Sequence, residues 1–340
     1  MKTLPKYKVA IKCLVFNHEP YLRECLEGFV MQQTDFPFVA IVHDDASTDH
    51  SADIIREYAA KYPDIIHPIY ETENQWRKAD GSLRKIMNDA IAATGATYIA
   101  LCEGDDYWTD PHKLQKQVDF LDTHPEYGLC YTDYNIYYHS TSIIREACFA
   151  NGYNRVPNSF AEHLIAQGYI APMTWLYRVD VFNSFKDSIP KAPTDGSYVY
   201  ALEFFLHSKV YFLDEVTATY RVSEGTASRP STAEKMIKYR KGVYAIQQQY
   251  ALRTSETAGY APIFKANEVL ELLPLALDEH LNKYVDEYIA KANGLHLSVD
   301  TCIALYQMKN EVRKARSSYA YRLGKFLLRP FSFIRHRILK

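Results

Sequence analysis

The sequence contains no C-x-x-C pair, no G-x-G-x-x-G and no G-x-x-x-x-G-K-[ST], and no apolar stretch in it approaches the ~18 residues of a membrane span. The missing glycine motifs argue against a dinucleotide dehydrogenase and a P-loop enzyme. The six cysteines, Cys13, Cys25, Cys102, Cys130, Cys148 and Cys302, are far apart, and at least two lie in apolar runs, so they read as reduced core residues. No His, Cys or carboxylate spacing makes a zinc site, which leaves His18 and His43 as polar loop residues. A strong charge is also missing: 39 Lys and Arg against 41 Asp and Glu give −2, which removes the general electrostatic case for nucleic-acid binding. The opening MKTLPKYKVAIKCLVFN has Lys inside its short apolar run, unlike a secretory leader, so a cytoplasmic protein is expected. There is no internal repeat and no low-complexity linker.

What is present is enough for about two domains: 340 residues, 47% hydrophobic, with 28 tyrosines suited to amphipathic contact surfaces. Val9 to Val15 reads as a strand buried on both faces of a parallel sheet. Pro20 suits the first turn of a helix carrying Leu22, Cys25, Leu26, Phe29 and Val30 on one face. A second strand, Phe38 to Val42, stops at His43-Asp44-Asp45, and Ala46-Ser47-Thr48-Asp49 supplies turn and cap chemistry for the next helix. A third strand covers Ile65 to Tyr70, and 71–82 is polar without periodicity. A helix through Leu83, Ile86, Met87, Ala90 and Ile91 leads to a fourth strand, Tyr98 to Cys102, which ends at Glu103-Gly104-Asp105-Asp106. Asp110-Pro111 reads as cap and first position of another helix. Residues 128–178 are more β-like and aromatic. A helix from Tyr198 to His207 and strands Val210 to Leu213 and Ala218 to Val222 follow, with helices beyond Ser231. Alternating strands and helices predict an α/β sheet with its ligand beyond the carboxyl ends of the strands, where both acidic pairs stand.

Asp105 and Asp106 are adjacent carboxylates with Glu103 two residues earlier, and a divalent cation would relieve their crowding. Mg2+ or Mn2+, held by one or two carboxylates and by substrate phosphates, suits such a loop, although an isolated acidic pair is also an ordinary solvated turn. Asp44-Asp45 has the same ambiguity, since excess acid also suits the positive end of a helix dipole.

The ordered blocks VAIKCLVFNHEPYLRECLEGFVMQQ, FVAIVHDDASTDHSADIIREYAAKYPD, ATYIALCEGDDYWTDPHKLQKQVDFLDTHPE and VYFLDEVTATYRVSEGTASR, over residues 7–229, resemble family 2 glycosyltransferases. The resemblance implies a GT-A fold, a Rossmann-like mixed sheet flanked by helices. It also implies an inverting, metal-dependent, hexosyltransferase-type transfer from a nucleoside diphosphate sugar, most often a UDP-sugar, to an acceptor hydroxyl in bacterial polysaccharide or glycolipid synthesis. Phe16 matches the aromatic that faces the base, Asp45 the carboxylate that reads the uracil edge, and Asp105 the residue near the ribose. Asp106 matches the metal ligand, and Glu103 stands where many relatives have another Asp. The metal would be Mn2+ or Mg2+, a Lewis acid for the leaving diphosphate. The catalytic base usually lies in a G-D-aromatic stretch, which here reads Gly196-Ser197-Tyr198, so Asp195, two residues upstream, becomes the candidate base or else a turn residue. Many relatives carry His where Ser223 stands. Arg221 is placed to face the diphosphate or to act as a surface ion-pair residue. Trp108 would stack on the acceptor or pack beside the helix cap, and Thr174 falls in a block resembling the acceptor side. A catalytically weak nucleotide-sugar binding or scaffold protein is the alternative, and Ser197 keeps it open.

Residues 1–229 are thus read as the catalytic domain, 230–312 as a helical extension and 313–340 as a basic amphipathic tail. After Glu311 there is no acid but nine basic residues, from Arg313 to Lys340, leaving 30 Lys and Arg against all 41 acids in the rest. Aromatic and aliphatic residues interleave with these cations, and Pro330 divides the tail. That pattern predicts peripheral binding to an anionic membrane on its cytoplasmic face, beside a glycan or lipid-linked acceptor, with packing on the catalytic domain as the other outcome and no role for nucleic acid.

Overall fold

The computed structural model describes residues 7–166, 170–189, 196–223 and 232–317. The chain divides into two compact units, Met1–Ala227 and Ser228–Lys340. In the first, β1 (Val9–Val15), α1 (Leu22–Val30), β2 (Phe38–Asp44), α2 (Ser51–Lys61) and β3 (Ile66–Tyr70) alternate as the sequence predicts. They are followed by α3 (Gln75–Lys78), α4 (Ser82–Thr94) and β4 (Tyr98–Leu101). β1 is central: it pairs parallel with β2 from Val9 opposite Phe38 to Val15 opposite Asp44, and with β4 from Val9 opposite Tyr98. Its apolar run is the consequence, because helices cover both faces of such a strand. The order β3-β2-β1-β4 reverses direction between β1 and β4, and the crevice beyond their carboxyl ends is where a sheet of this kind takes its ligand.

The sheet continues through β5 (Tyr107–Trp108), β6 (Tyr127–Tyr138), β7 (Ile143–Arg145), β8 (Leu176–Arg178) and β9 (Lys209–Val222). β8 is antiparallel to both β4 and β6, β9 runs parallel to β6, and β5 adds antiparallel to β9. The result is a mixed α/β sheet flanked by helices, as expected. Helices α5 (Lys113–Thr123), α6 (Phe160–Ala166), α7 (Val179–Phe185) and α8 (Gly196–His207) belong to the same unit. A continuous core of Ile11, Leu26, Phe29, Val39, Tyr98, Leu114, Leu129, Trp175 and Phe204 runs under it. All six cysteines are buried and free.

Several boundaries differ from the sequence reading. β2 runs on through the buried His43 and Asp44, because pairing with β1 and β3 satisfies the backbone there. His43 is therefore a strand residue and not a loop one. Pro20 precedes the Tyr21 cap and lies outside α1. Asp110 lies before the helix it was expected to open: α5 begins at Lys113, and Asp110 instead accepts from His112 N–H at 2.8 Å and from Lys116 Nζ at 2.8 Å. The two strands expected between 210 and 222 are one, with register shifts opposite Thr132 to Tyr134 that absorb the polar Asp214-Glu215 as a bulge.

In the second unit are α9 (Ala233–Ala251), α10 (Ala261–Asp278), α11 (Asn282–Gly294) and α12 (Val299–Ser317). Thr232 caps α9 by accepting from Lys235 N–H. Glu271 of α10 accepts from Arg240 Nε at 2.7 Å, Tyr244 Oη at 2.9 Å and Lys309 Nζ at 2.7 Å, which ties α9, α10 and α12 together. Among the described residues no helix is long and apolar enough to cross a membrane.

Candidate active site

The loop after β4 folds back over β1. Cys102 N–H donates to Lys12 O, Gly104 N–H to Leu14 O at 3.0 Å, and Asp106 N–H to Glu103 O at 3.0 Å. Gly104 is required by this closeness: a Cβ there would lie 2.7 Å from His18 Nδ1 and 3.0 Å from Val15 Cγ2. His18 is therefore packed against the acidic loop, with Nδ1 buried and unpartnered, and desolvation lowers its pKa against the pull of Asp105 and Asp49.

β5 places Asp106. Tyr107 pairs with Thr219 and Trp108 with Ala218, which brings the Asp106 Oδ1 within 2.8 Å of Arg221 N–H. The Arg221 guanidinium, 5% exposed, donates from Nε to Asp105 O at 3.0 Å and pairs with Glu24 of α1. Its carbon lies 4.8, 5.2 and 5.3 Å from the ring centres of Tyr21, Tyr107 and Tyr137. A guanidinium so enclosed fixes the loop through its Nε and Nη2 contacts.

Asp106 is buried and makes no further hydrogen bond among the described residues. Desolvation first, and then the charges of Asp105 and Glu103, push its carboxyl well above the usual range, against the Arg221 N–H. Glu103 keeps contact with solvent although protein packs densely around it. Desolvation and Asp105 raise it to about 7, and Lys12 opposes them. Lys12 itself is lowered by desolvation and by Arg84. Among the described residues no group of three or more His, Cys, Asp or Glu is arranged as a cage for a metal ion. The donor set instead fits a hard divalent ion that borrows the rest of its shell from phosphates, because crowded carboxylates held against their preferred charge gain most from such an ion.

Across the crevice, Asp45 is also buried. Its Oδ1 accepts from Gln75 N–H at 2.7 Å and its Oδ2 from Trp76 N–H at 3.0 Å, so this carboxylate holds the start of α3. Asn74 Nδ2 donates to Asp45 O at 3.0 Å, and Arg77 sits 5.5 Å from the centre of the Phe16 ring. Phe16 and Asp45 thus belong to one wall, with Trp76 beside them 70% exposed. Asp44, which the sequence reading left as half of a pair, keeps Oδ1 buried with no hydrogen-bond partner. Ala46 has φ of 59°, a left-handed conformation that a non-glycine residue holds only under constraint. The constraint is lacing between the loops: Asn17 N–H donates to Ser47 Oγ at 3.0 Å and Thr48 N–H to Asn17 Oδ1 at 2.8 Å.

Two expected site residues, Trp108 and Thr174, are not brought to this crevice. Trp108 is 2% exposed; its Nε1–H donates to Met173 O at 2.8 Å and its ring meets Phe29, so it packs in the core and offers no stacking face to an acceptor. Thr174 is buried, its hydroxyl donating to Ala171 O at 2.7 Å. Asp195 lies outside the described residues, whereas Ser197 stands in the first turn of α8.

A parallel half-sheet with paired carboxylates at its switch point, joined to a mixed half carrying β5 and β9, defines a protein of GT-A type. The structure of Mannosyltransferase PcManGT from Pyrobaculum calidifontis, in complex with GDP-Man and Mn2+, is similar at a TM-score of 0.55 and 16% identity, over 96% of this chain and 86% of that one. S. aureus TarS 1-349, in complex with UDP-GlcNAc, is similar at 0.52 and 16%, over 80% and 73%. The model of Glycosyl transferase family 2 matches residues 13–185, and the chain belongs to that family. An uncharacterized protein of Mycobacterium tuberculosis is 45% identical over 130 residues, 38% of this chain and 36% of that protein. The putative glycosyltransferase EpsE of Bacillus subtilis is 34% identical over 120 residues, 35% of this chain and 40% of its own length. The matches to these curated relatives therefore span only a little over a third of their length.

Proposed function

We propose that the chain transfers a sugar from a nucleoside diphosphate donor, in the first instance a UDP-sugar, to an acceptor hydroxyl with inversion at the anomeric carbon. The observation that carries this is Asp106: a buried carboxylate, fixed by the Arg221 backbone, held next to Asp105 and Glu103 at the end of β4. Asp106 would hold Mg2+ or Mn2+ with help from Asp105 and Glu103, and the ion would supply Lewis acidity to the departing diphosphate. The wall of Phe16, Asp44, Asp45 and Arg77 would take the nucleoside, the aromatic ring against the base and a carboxylate on its polar edge. TarS with UDP-GlcNAc and PcManGT with GDP-Man and Mn2+ support a donor and a metal of this kind in this fold.

Inversion in one displacement requires a base to take the proton of the attacking hydroxyl. Asp195 is the proposed base, with a glycan or lipid-linked saccharide as acceptor. Ser197, in the position of the family carboxylate, favours a second reading, in which the chain binds nucleotide sugars without turning them over. The tail would add contact with an anionic membrane; 318–340 lie outside the described residues, and α12 runs through its first positions. Co-sedimentation of full-length protein and of a chain ending at Ser317 with anionic liposomes tests that part, and equal binding by the two refutes it.

Calorimetry of UDP and GDP with and without Mn2+, followed by hydrolysis of the corresponding sugar nucleotides, tests the central reading. Metal-dependent nucleotide affinity with turnover is expected. Affinity without turnover against any acceptor would favour the binding protein, and absence of affinity in both conditions would overturn the assignment.

A further inference from the structure

Lys113 opens α5 and is fully buried, yet among the described residues its ammonium forms no ion pair. Nζ donates to Gln117 Oε1 at 2.7 Å and lies 4.4 Å from the centre of the Trp108 ring. Desolvation pulls it down to about 7 against weak support from Cys102, Cys130 and Asp110. A lysine buried without a carboxylate costs stability, and a methionine of similar length would fill the same space without that cost. Packing alone therefore does not account for a lysine at this position.

Its surroundings indicate what the charge does. Trp108 is two residues beyond Asp106, in the strand that sets the Asp106 carboxylate against Arg221. Its indole has three partners: Nε1–H donates to Met173 O, the Phe29 ring lies inclined to it with centres 5.0 Å apart, and the Lys113 ammonium sits over the ring. Gln117 is oriented toward Lys113 because its Nε2 donates to Cys130 O at 3.0 Å and Thr174 O at 2.8 Å. Gln32 locks the adjoining backbone, donating to Asp110 O at 2.9 Å and accepting from Leu114 N–H at 3.1 Å. Gly28 leaves no slack above, since a Cβ there would come within 2.9 Å of Trp108 N. An ammonium over a desolvated indole is drawn to the ring face, an attraction directional in a way hydrocarbon packing is not.

We propose that Lys113, with Gln117 behind it, is a positioning residue that holds Trp108, and through β5 the Asp105-Asp106 loop, in the geometry needed to take a metal diphosphate. The functional half of this inference rests on the reading of that loop given above; the structural half does not. The full chain and Lys113→Met are compared by thermal unfolding, by hydrogen exchange of the Tyr107 and Trp108 amides, and by the gain in UDP affinity on adding Mn2+. The variant is expected to unfold at the same or a higher temperature, to exchange those two amides at least tenfold faster, and to lose at least tenfold of the Mn2+-dependent gain while its metal-free UDP affinity stays put. A side chain that only fills space predicts the same or a higher unfolding temperature with exchange and Mn2+ gain intact, so exchange and Mn2+ gain decide. Unchanged exchange overturns the proposal, as does an unchanged Mn2+ gain. If the wild-type chain shows no Mn2+ gain, the metal reading of the loop fails, and the exchange measurement still decides whether Lys113 positions it. Lys113→Gln, neutral but able to hydrogen bond, takes the same test if the methionine variant does not fold.

Discussion

Asp106→Asn should make the ligand-free protein more stable and blind to metal. The amide keeps the shape and the oxygen that accepts from Arg221 N–H at 2.8 Å, so the loop retains its anchor. What disappears is one of three crowded carboxylates, the one whose ionised form is most strongly opposed by burial and by Asp105. Two charges about 6 Å apart repel by ~3 kcal/mol at an effective dielectric constant of ~20. Solvent at the half-buried Asp105 reduces the relief to about 1 kcal/mol, or roughly 2–4 °C in unfolding temperature for a unit of this size. Wild-type protein with UDP and Mn2+ at about a hundred times the dissociation constant should gain ~2.7 kcal/mol, roughly 5–10 °C. The variant should gain almost nothing. Thermal unfolding with and without MnCl2 and UDP gives four temperatures whose order must cross: variant above wild type alone, wild type above variant with ligands. A variant raised by Mn2+ and UDP as far as wild type would refute the ligand assignment, and a variant several degrees below wild type without ligands would refute the electrostatic account of the loop.

Glu103 is held near 7 in the folded chain against an ordinary value of 4.5, so between those pH values the folded state keeps a proton that the unfolded state has released. Ligand-free stability should therefore fall as pH rises from 4.5 to 7, and Glu103→Gln should flatten that slope in urea midpoints; a variant as pH-dependent as wild type counts against it. Asp45→Ala removes both acceptors for the Gln75 and Trp76 amides, and should speed exchange across 74–78 and weaken UDP at least tenfold whether or not Mn2+ is present. Wild-type UDP affinity in that variant would remove Asp45 from the nucleoside wall. His163 is buried with neither ring nitrogen hydrogen-bonded, and desolvation lowers it to about 3. Below pH 6.5 the unfolded state gains a proton that the folded state refuses, a loss of ~1.4 kcal/mol per pH unit until about pH 3. His163→Phe, in a setting already lined by Tyr198 and Phe205, should be more stable at pH 7 and lose about 2 kcal/mol less between pH 6.5 and 4.5. Equal acid sensitivity in the two proteins would disprove this.

The legible parts of the chain were those where one physical signal dominates. VAIKCLV and FVAIV are strands because only a doubly covered strand tolerates such runs, and the stripe from Leu22 to Val30 is unambiguous at helical spacing. The acidic pairs stood out because they follow apolar runs, although β2 itself continues through Asp44. Elsewhere the sequence carries no local mark. β5 is two residues long and exists only because β9, more than a hundred residues later, offers it Ala218 and Thr219. Arg221 and Glu24 are 197 residues apart, and nothing near either announces the pair. Trp108 beside an acidic loop reads equally as a stacking face or a core residue, and the decision falls to Gly28, Phe29 and Met173, which are remote in sequence. His43 looks like a loop residue because polar residues follow it, yet pairing on both sides buries it.

These long-range pairings also bear on how the proposed site works. A diphosphate entering between β1 and β4 would meet Glu103, Asp105 and Asp106, while the Arg221 guanidinium turns its Nε and Nη2 to the Asp105 carbonyl and Glu24 under three tyrosine rings. Lys12, the cation on the other side, is itself disfavoured by desolvation. Anion meeting anion in a partly desolvated cleft is repulsive by several kcal/mol unless a third charge intervenes. A fixed lysine or arginine pointing into the cleft would supply that charge permanently and would hold the departing nucleotide as firmly as the arriving donor. A divalent ion shared between Asp106 and the phosphates leaves or exchanges with them, so the same crowding that makes the empty loop unfavourable helps to release product. On this reading the buried Arg221 belongs to the scaffold: it supplies the rigidity that lets three carboxylates be held close together.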